Sequence, residues 1–392
     1  MPNPPDSGKT VQENQNRAGR YIRQATGYRA FVPAPLPPAP PLRISDGLQA
    51  LLSRADLSLG RLDGAIQTLP DADLFVFMYV RKEAVLSSQI EGTQSSLDDV
   101  LAAEAEILSP EAPRDVAEVL NYVAAMNHGL ARLATLPVSV RLIKELHEKL
   151  LAGVRGAAKN PGEIRHSQNW IGSGGALLSD AAFVPPPPDE VPQALSDWER
   201  FVHSDAPMPL LLKIGLAHAQ FETIHPFLDG NGRVGRLLIT LLLVERQILQ
   251  RPVLYLSHYF KRHRSRYYDR LQEIRDAGDW EQWIEFFLTA VGEVAEEAAV
   301  AARRIVELRE RHRALVVSEL GRGTSSALAV LETLYSRPIV SVAEVAKIAK
   351  TSFTAANHLV SRLEKLGVLR EITGHARNRR FRYDEYVRIF SE

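Results

Sequence analysis

Residues 225–236 read His-Pro-Phe-Leu-Asp-Gly-Asn-Gly-Arg-Val-Gly-Arg and lie between two strongly apolar segments. No other stretch restricts the fold as much. Gly230 and Gly232 call for a tight turn, and the apolar run Leu237–Val244 behind it has to be buried, as a helix opened by Arg233 and Arg236. The glycines leave backbone N–H groups open to an anion, and the helix N-terminus adds partial positive charge, so the turn reads as a phosphate cradle. His225 and Asp229 stand beside it as a proton acceptor and a metal ligand.

At 392 residues the chain is too long for one compact core and fits two or three domains. Its 47 basic and 47 acidic side chains cancel, which argues against a surface that coats nucleic acid as a whole but permits a local basic patch. The absence of cysteine excludes disulfides and thiolate metal sites. No stretch approaches the ~20 apolar residues that span a bilayer, and a soluble cytoplasmic protein without membrane contact is expected.

Prolines at 2, 4 and 5 and again from Pro33 to Pro41 rule out regular helix in the first segment, which reads as an extended arm or a disordered one. From Ser45 the apolar spacing is helical, and it stays so almost to residue 315. A helix over Ala72–Ser88 is expected to stop at Gly92, and another to start at Ser96 with Asp99 as capping-box partner. Residues 161–192 break this regime with glycines at 172, 174 and 175 and four prolines after Phe183-Val184. Extended pieces at His166–Ile171 and Ala182–Pro185 predict a projecting hairpin, the alternative being a surface loop. Asp279 is the expected cap of an aromatic helix carrying Trp280, Trp283, Phe286 and Phe287, and a long amphipathic helix is expected over Glu293–Leu320.

After Gly321-Arg322-Gly323, short helices at Ser325–Ser336, Val342–Ala349 and Phe353–Leu366 and two extended stretches around Gly374 form a winged helix-turn-helix pattern. The expected fold is therefore mainly all-α, a helical bundle with a β-hairpin flap. The expected domains are an extended arm at 1–44, an N-terminal helical region at 45–135, a catalytic core at 136–320 and a winged helix-turn-helix at 321–392.

With a nucleoside triphosphate laid over Gly230-Asn231-Gly232, the roles separate. Asp229 would hold Mg²⁺ against phosphate oxygens, His225 would take a proton from an attacking hydroxyl, and Arg233 and Arg236 would bind the phosphates. Phe227 would anchor the loop in the core.

The run His225-Pro-Phe227-x-Asp229-Gly230-Asn231-Gly232-Arg233-x-x-Arg236 resembles, at every motif position, the signature of the Fic family of protein adenylyltransferases. The resemblance implies a Fic-type helical bundle that moves AMP from ATP onto a Ser, Thr or Tyr hydroxyl of a target protein and releases pyrophosphate. It implies His225 as general base and Asp229 as Mg²⁺ ligand. Gly230, Asn231, Gly232, Arg233, Val234, Gly235 and Arg236 would form the ATP and anion site.

The stretch from Asn169-Trp170-Ile171-Gly172 to Phe183-Val184-Pro185 is similar to the family's target-docking flap, whose strand edge would hold the target by strand addition. Ser87-x-x-x-Glu91-Gly92 resembles the family's inhibitory-helix motif. Ser87 and Glu91 share a helix face, and a Glu91 that reaches Arg236 would take the guanidinium needed by the γ-phosphate. Tyr268, with Tyr267 as its rival, is the expected contact to the nucleotide base or ribose. A homodimer is also implied.

Two other readings stay open. One is a Fic enzyme that removes AMP from modified proteins. The other is a transcriptional regulator whose core senses nucleotide and whose winged helix places Arg377, Arg379, Arg380 and Arg382 on DNA phosphates. Winged helices also mediate protein contacts.

Overall fold

The computed structural model describes residues 15–25, 27–67, 72–107, 113–172 and 177–391. Three short strands, β1 (Gln15–Asn16), β2 (Gly19–Arg23) and β3 (Arg29–Pro33), precede eleven helices: α1 (Asp46–Gln67), α2 (Ala72–Ile90), α3 (Leu97–Glu104), α4 (Val116–Arg132), α5 (Val140–Leu150), α6 (Val191–His203), α7 (Leu210–Ile224), α8 (Asn231–Glu245), α9 (Ser257–Arg262), α10 (Arg264–Ala277) and α11 (Trp280–Leu320). The C-terminal part holds α12 (Thr324–Leu334), β4 (Ile339–Ser341), α13 (Val342–Ile348), α14 (Phe353–Lys365), β5 (Arg370–Glu371), β6 (Arg380–Arg382) and α15 (Asp384–Ser391). Among the described residues no helix is long and apolar enough to cross a membrane.

The N-terminal strands form an antiparallel sheet in the order β1-β2-β3, with Tyr21 opposite Phe31. Arg17 ties it to the helices, donating to Gly278 O (2.7 Å) and pairing with Glu281. The helix starts follow local chemistry. Ser96 and Asp99 close a capping box on α3, Ser139 caps α5, and the Asp279 side chain accepts from Gln282 N at the start of α11.

That last helix differs from expectation, since the aromatic helix and the amphipathic one are a single element of 41 residues. Nothing between Leu288 and Glu293 can break it. There is no proline, and the one glycine, Gly292, is buried facing α1, where a Cβ would lie 3.9 Å from Ala55 Cα. The buried face of α1 (Leu48, Leu52, Ala55, Leu59, Leu62, Ile66) lies along this helix and adds about 1.5–3 kcal/mol of burial per large aliphatic side chain.

The helices α7 and α8 form the centre. Every residue from Leu211 to Ile224 is buried, and so is every residue from Arg233 to Leu243, so both helices are enclosed on all sides. α2 packs on α4 and α9, which lays its last turns across the start of α8.

In the C-terminal part the sheet order is β4-β6-β5, and α13 starts with a Ser341–Glu344 capping box. Phe390 of α15 packs edge-on against Tyr79 of α2, with centroids 5.1 Å apart. The arginines read as phosphate contacts are partly committed within the protein. Arg380 pairs with Glu344 (3.1 Å), Arg382 with Asp384 and with Asp98 (2.9 Å), and Arg379 donates to Asn357 Oδ1 (2.9 Å), while Arg377 is exposed.

Candidate active site

His225 sits at the C-terminal cap of α7 in the left-handed region, φ 49° and ψ 60°. A non-glycine residue is held there only when its surroundings over-determine it. They do so here, because the His225 carbonyl accepts from Arg165 Nε (2.9 Å) and from Asn169 Nδ2 (3.2 Å), and Arg165 N–H donates to Pro226 O (3.0 Å). Burial, and then the cations Arg275 and Arg165, push the imidazole pKa down to about 3, against a weaker upward pull from Glu222 and Glu91. The ring is therefore neutral at pH 7 and able to accept a proton.

The loop after His225 is pinned from both sides. Asn231 Oδ1 accepts from Phe227 N–H (2.8 Å) while its Nδ2 donates to Phe227 O (2.8 Å), so the first residue of α8 carries the turn that precedes it. Gly230 takes φ 77° to allow that turn. On the other side the His147 ring stacks on Phe227, with centroids 3.7 Å apart. Gly162 N–H donates to His147 Nδ1 (2.9 Å), which puts the proton on Nε2, and Nε2 donates to Asp229 O (3.0 Å).

Burial pushes His147 down to about 4, although the bond to Asp229 and its charge pull the other way. Protonation would destroy the Nδ1 acceptor, so the folded state refuses a proton that the unfolded chain takes up below about pH 6.5. The contribution of His147 is whole above that pH and lost as pH falls toward 4. At pH 5 the loss is about 2 kcal/mol. Urea titrations at pH 7 and 5 should show His147→Gln losing less stability over that interval than the parent does.

The two arginines occupy different settings. Arg233 is 1 % exposed, donates to Glu118 Oε2 (3.2 Å) from α4 and lies 3.8 Å from Asp229 Oδ1, and its Nε is buried without a partner. Arg236 is 2 % exposed and faces α2, where Nε donates to Ser87 Oγ (2.9 Å) and one terminal nitrogen donates both to Ser87 O (3.0 Å) and to Glu91 Oε1 (2.6 Å). Burial opposes the charge on Glu91, but Arg236 above all, with Arg233, outweighs it and holds the carboxyl below the ordinary glutamate range. The Glu91 carboxylate comes so close to the start of α8 that a Cβ on Gly232 would stand 2.3 Å from Oε1.

Asp229 opens to solvent at the mouth, with its side chain 38 % exposed and Oδ1 accepting from Gly230 N–H (2.6 Å). A single accessible carboxylate beside an anion cradle is a donor set that suits Mg²⁺ shared with phosphate oxygens. Val234 and Gly235 are buried in the first turn of α8.

The predicted flap reaches the site from the 161–192 stretch. Ile171 and Phe183 form a two-way backbone bridge (2.8 and 3.1 Å), Trp170 is 42 % exposed, and Gly172 is the last described residue before 177. Asn169 faces inward, since its amide also donates to Phe227 O (2.7 Å). Of the two tyrosines, Tyr267 is buried with its hydroxyl 2.9 Å from His218 Nε2, whereas Tyr268 keeps 36 % exposure.

Sequence reasoning missed Glu118, His147, Arg165 and Arg275. It also missed Glu83, buried on α2, which accepts from Ser257 N–H (3.0 Å) and Tyr122 OH (3.2 Å) and is pushed by burial up to about 7. Glu83 and Ser87 on α2 and Glu91 just after its last residue recur every fourth residue, which keeps them on one side, and that spacing was the available signal.

Comparison with known proteins matches residues 49–131 to the Fic/DOC family N-terminal domain and residues 137–243 to the Fic/DOC family. A probable protein adenylyltransferase of Aquifex aeolicus is 31% identical over 181 residues, 45% of this chain and 51% of that protein. Protein adenylyltransferase Fic of Drosophila willistoni is 29% identical over 260 residues, 62% of this chain and 47% of that protein. The chain thus spans about half the length of these curated relatives. A crystal structure of a Fic family protein from Desulfovibrio desulfuricans shares the fold, with a TM-score of 0.57 at 20% identity over 87% of this chain and 97% of that one.

Proposed function

We propose that the chain, whose residues 49–131 and 137–243 match the Fic/DOC family N-terminal and Fic/DOC family models, is a protein adenylyltransferase of that family restrained by its own Glu91. The target supplies a Ser, Thr or Tyr hydroxyl. The oxygen attacks the α-phosphorus of ATP, the bond from that phosphorus to the β-phosphate oxygen breaks, and pyrophosphate leaves. The hydroxyl proton passes to His225, whose neutral ring supports that role. The free N–H groups at the start of α8 and the guanidiniums of Arg233 and Arg236 would hold the phosphates. Glu118 would fix Arg233 for this work, and Tyr268 is the assigned contact to the adenosine.

Asp229 is the assigned Mg²⁺ ligand, and bound Mg²⁺ would neutralise charge on the phosphates. An Asp229→Asn variant should need about ten times more Mg²⁺ for half-maximal transfer. A Mg²⁺ titration of the rate at fixed ATP checks this.

The observation that carries the reading is the contact of Arg236 with Ser87 and Glu91. A guanidinium poised at the cradle is occupied by an internal carboxylate that stands where a γ-phosphate oxygen would. The flap edge at Asn169, Trp170, Ile171 and Gly172 would take the target as an added strand, which sets the hydroxyl without reading much sequence. Incubation with Mg-ATP followed by mass spectrometry of the protein and of a cell extract tests the proposal, which expects adenylyl groups on hydroxyl side chains.

The same contact favours a second reading, in which the ionised Glu91 activates water and the enzyme strips AMP from a modified protein. Release of AMP from such a protein, lost in Glu91→Gly, would select it.

A further inference from the structure

Arg275 of α10 has no part in the reaction described above, yet it is 4 % exposed at the back of the site. Its described hydrogen-bond acceptors are uncharged, Thr223 Oγ1 (3.3 Å), Glu222 O (3.3 Å) and Gln272 Oε1 (3.4 Å), and the carboxyls of Glu222 and Asp276 act on it only through space. The first two belong to the last turn of α7, which ends in His225. The face of the guanidinium lies 3.7 Å from the centroid of Phe183, the flap residue bridged to Ile171. The Arg275 carbonyl accepts from Asn16 Nδ2 of the N-terminal sheet (2.9 Å), and that sheet grips the same flap strand, Phe31 N–H donating to Val184 O (2.9 Å). Burying a guanidinium that bonds no carboxylate is costly, and a side chain serving only to fill space would be apolar.

We propose that Arg275 is a positioning residue that locks the turn presenting His225 to the target-docking flap, so that base and incoming hydroxyl are set in register as one body. The proposal rests on the AMP-transfer reading for its purpose, though the linkage itself is a property of the protein alone. The turn and the flap come from separate segments, and a misplacement of about 1 Å between them is enough to cost a hundredfold in rate. Arg275 also shapes the field at the base. The charged groups acting on His225 are Arg275 from α10, Arg165 from the stretch before the flap and Glu91 just after α2, while Glu222 of α7 acts through its backbone; after burial Arg275 is the strongest influence keeping the ring unprotonated.

Hydrogen exchange of the full chain without nucleotide tests the linkage. In Arg275→Met the amides of Ile171 and Phe183 should exchange about tenfold faster while those of α1 and α11 keep their rates. Phe183→Leu, which removes the ring alone, should reproduce the flap effect, and Arg275→Lys should restore it in part. A second readout is the His225 ring followed by NMR against pH. Its protonation should move to higher pH in Arg275→Met but stay near the parent in Arg275→Lys and Phe183→Leu, a pattern that lost packing alone would not give.

Flap exchange and His225 protonation in Arg275→Met equal to the parent would overturn the proposal, and so would uniform acceleration of all amides in both Arg275→Met and Phe183→Leu. If Arg275→Met does not fold, the exchange rates of Phe183→Leu and Arg275→Lys decide. In a Glu91→Gly background, Arg275→Met should incorporate AMP more slowly at saturating ATP with unchanged ATP affinity. Should Glu91→Gly itself incorporate no AMP, the transfer reading falls, while the exchange and ring measurements still judge Arg275.

Discussion

His225→Ala is expected to reduce AMP transfer by about 10²–10⁴-fold while leaving ATP affinity nearly unchanged. The imidazole is neutral and its Nδ1 has no hydrogen-bond partner among the described residues, and its left-handed backbone is fixed by Arg165 and Asn169 rather than by its own ring. Removing the ring thus deletes the acceptor without loosening the turn. In the unliganded protein the ring is a weak base, with its pKa near 3. Bound phosphates against Arg233 and Arg236 would offset the cations around it and lift it toward the range where a base works best. Rapid-quench transfer rates and equilibrium ATP binding, measured on the same variant, separate the two effects. A parallel loss of binding would assign His225 to the nucleotide site instead.

Glu91→Gly is expected to act in the opposite direction and raise transfer by roughly a hundredfold. Arg236 now spends its donors on Ser87 and on an ionised Glu91, and without the carboxylate it is free for the γ-phosphate. Glu91 is held below the ordinary carboxylate range, so the clasp persists above that range and is lost only as pH falls through the lowered value. Neutral-range pH changes should therefore not switch the enzyme on. Transfer assayed between pH 6 and 8 should stay low in the parent and high in the variant.

The parts of the site that could be read from the sequence are those whose chemistry is contiguous. His225 to Arg236 place base, carboxylate, turn and guanidiniums within a loop and one helical turn, so chain connectivity alone brings them together. Ser87 and Glu91 could be read because a four-residue spacing fixes a shared face. Glu118, His147, Arg165 and Arg275 could not. Each lies on another element with ordinary local spacing, and its partner arrives only when the helices pack, as when His147 meets Phe227 across 82 residues of chain separating it from the Asp229 carbonyl it also binds. Asn169 shows the converse, a residue placed on the flap by its segment whose amide turns inward to hold the base loop. The unbroken α11 follows the same logic. Local aromatic and amphipathic patterns suggested two helices, and the long face of α1 keeps them as one.

The most direct test of the account supplies the Glu91→Gly chain with Mg-ATP radiolabelled either at the α-phosphate or at the γ-phosphate, alone and in the presence of a cell extract. Protein-bound label is expected from the α-phosphate only, weak in the parent and lost in Glu91→Gly carrying His225→Ala. Label arriving from the γ-phosphate, or no protein-bound label from Glu91→Gly under either condition, would contradict it.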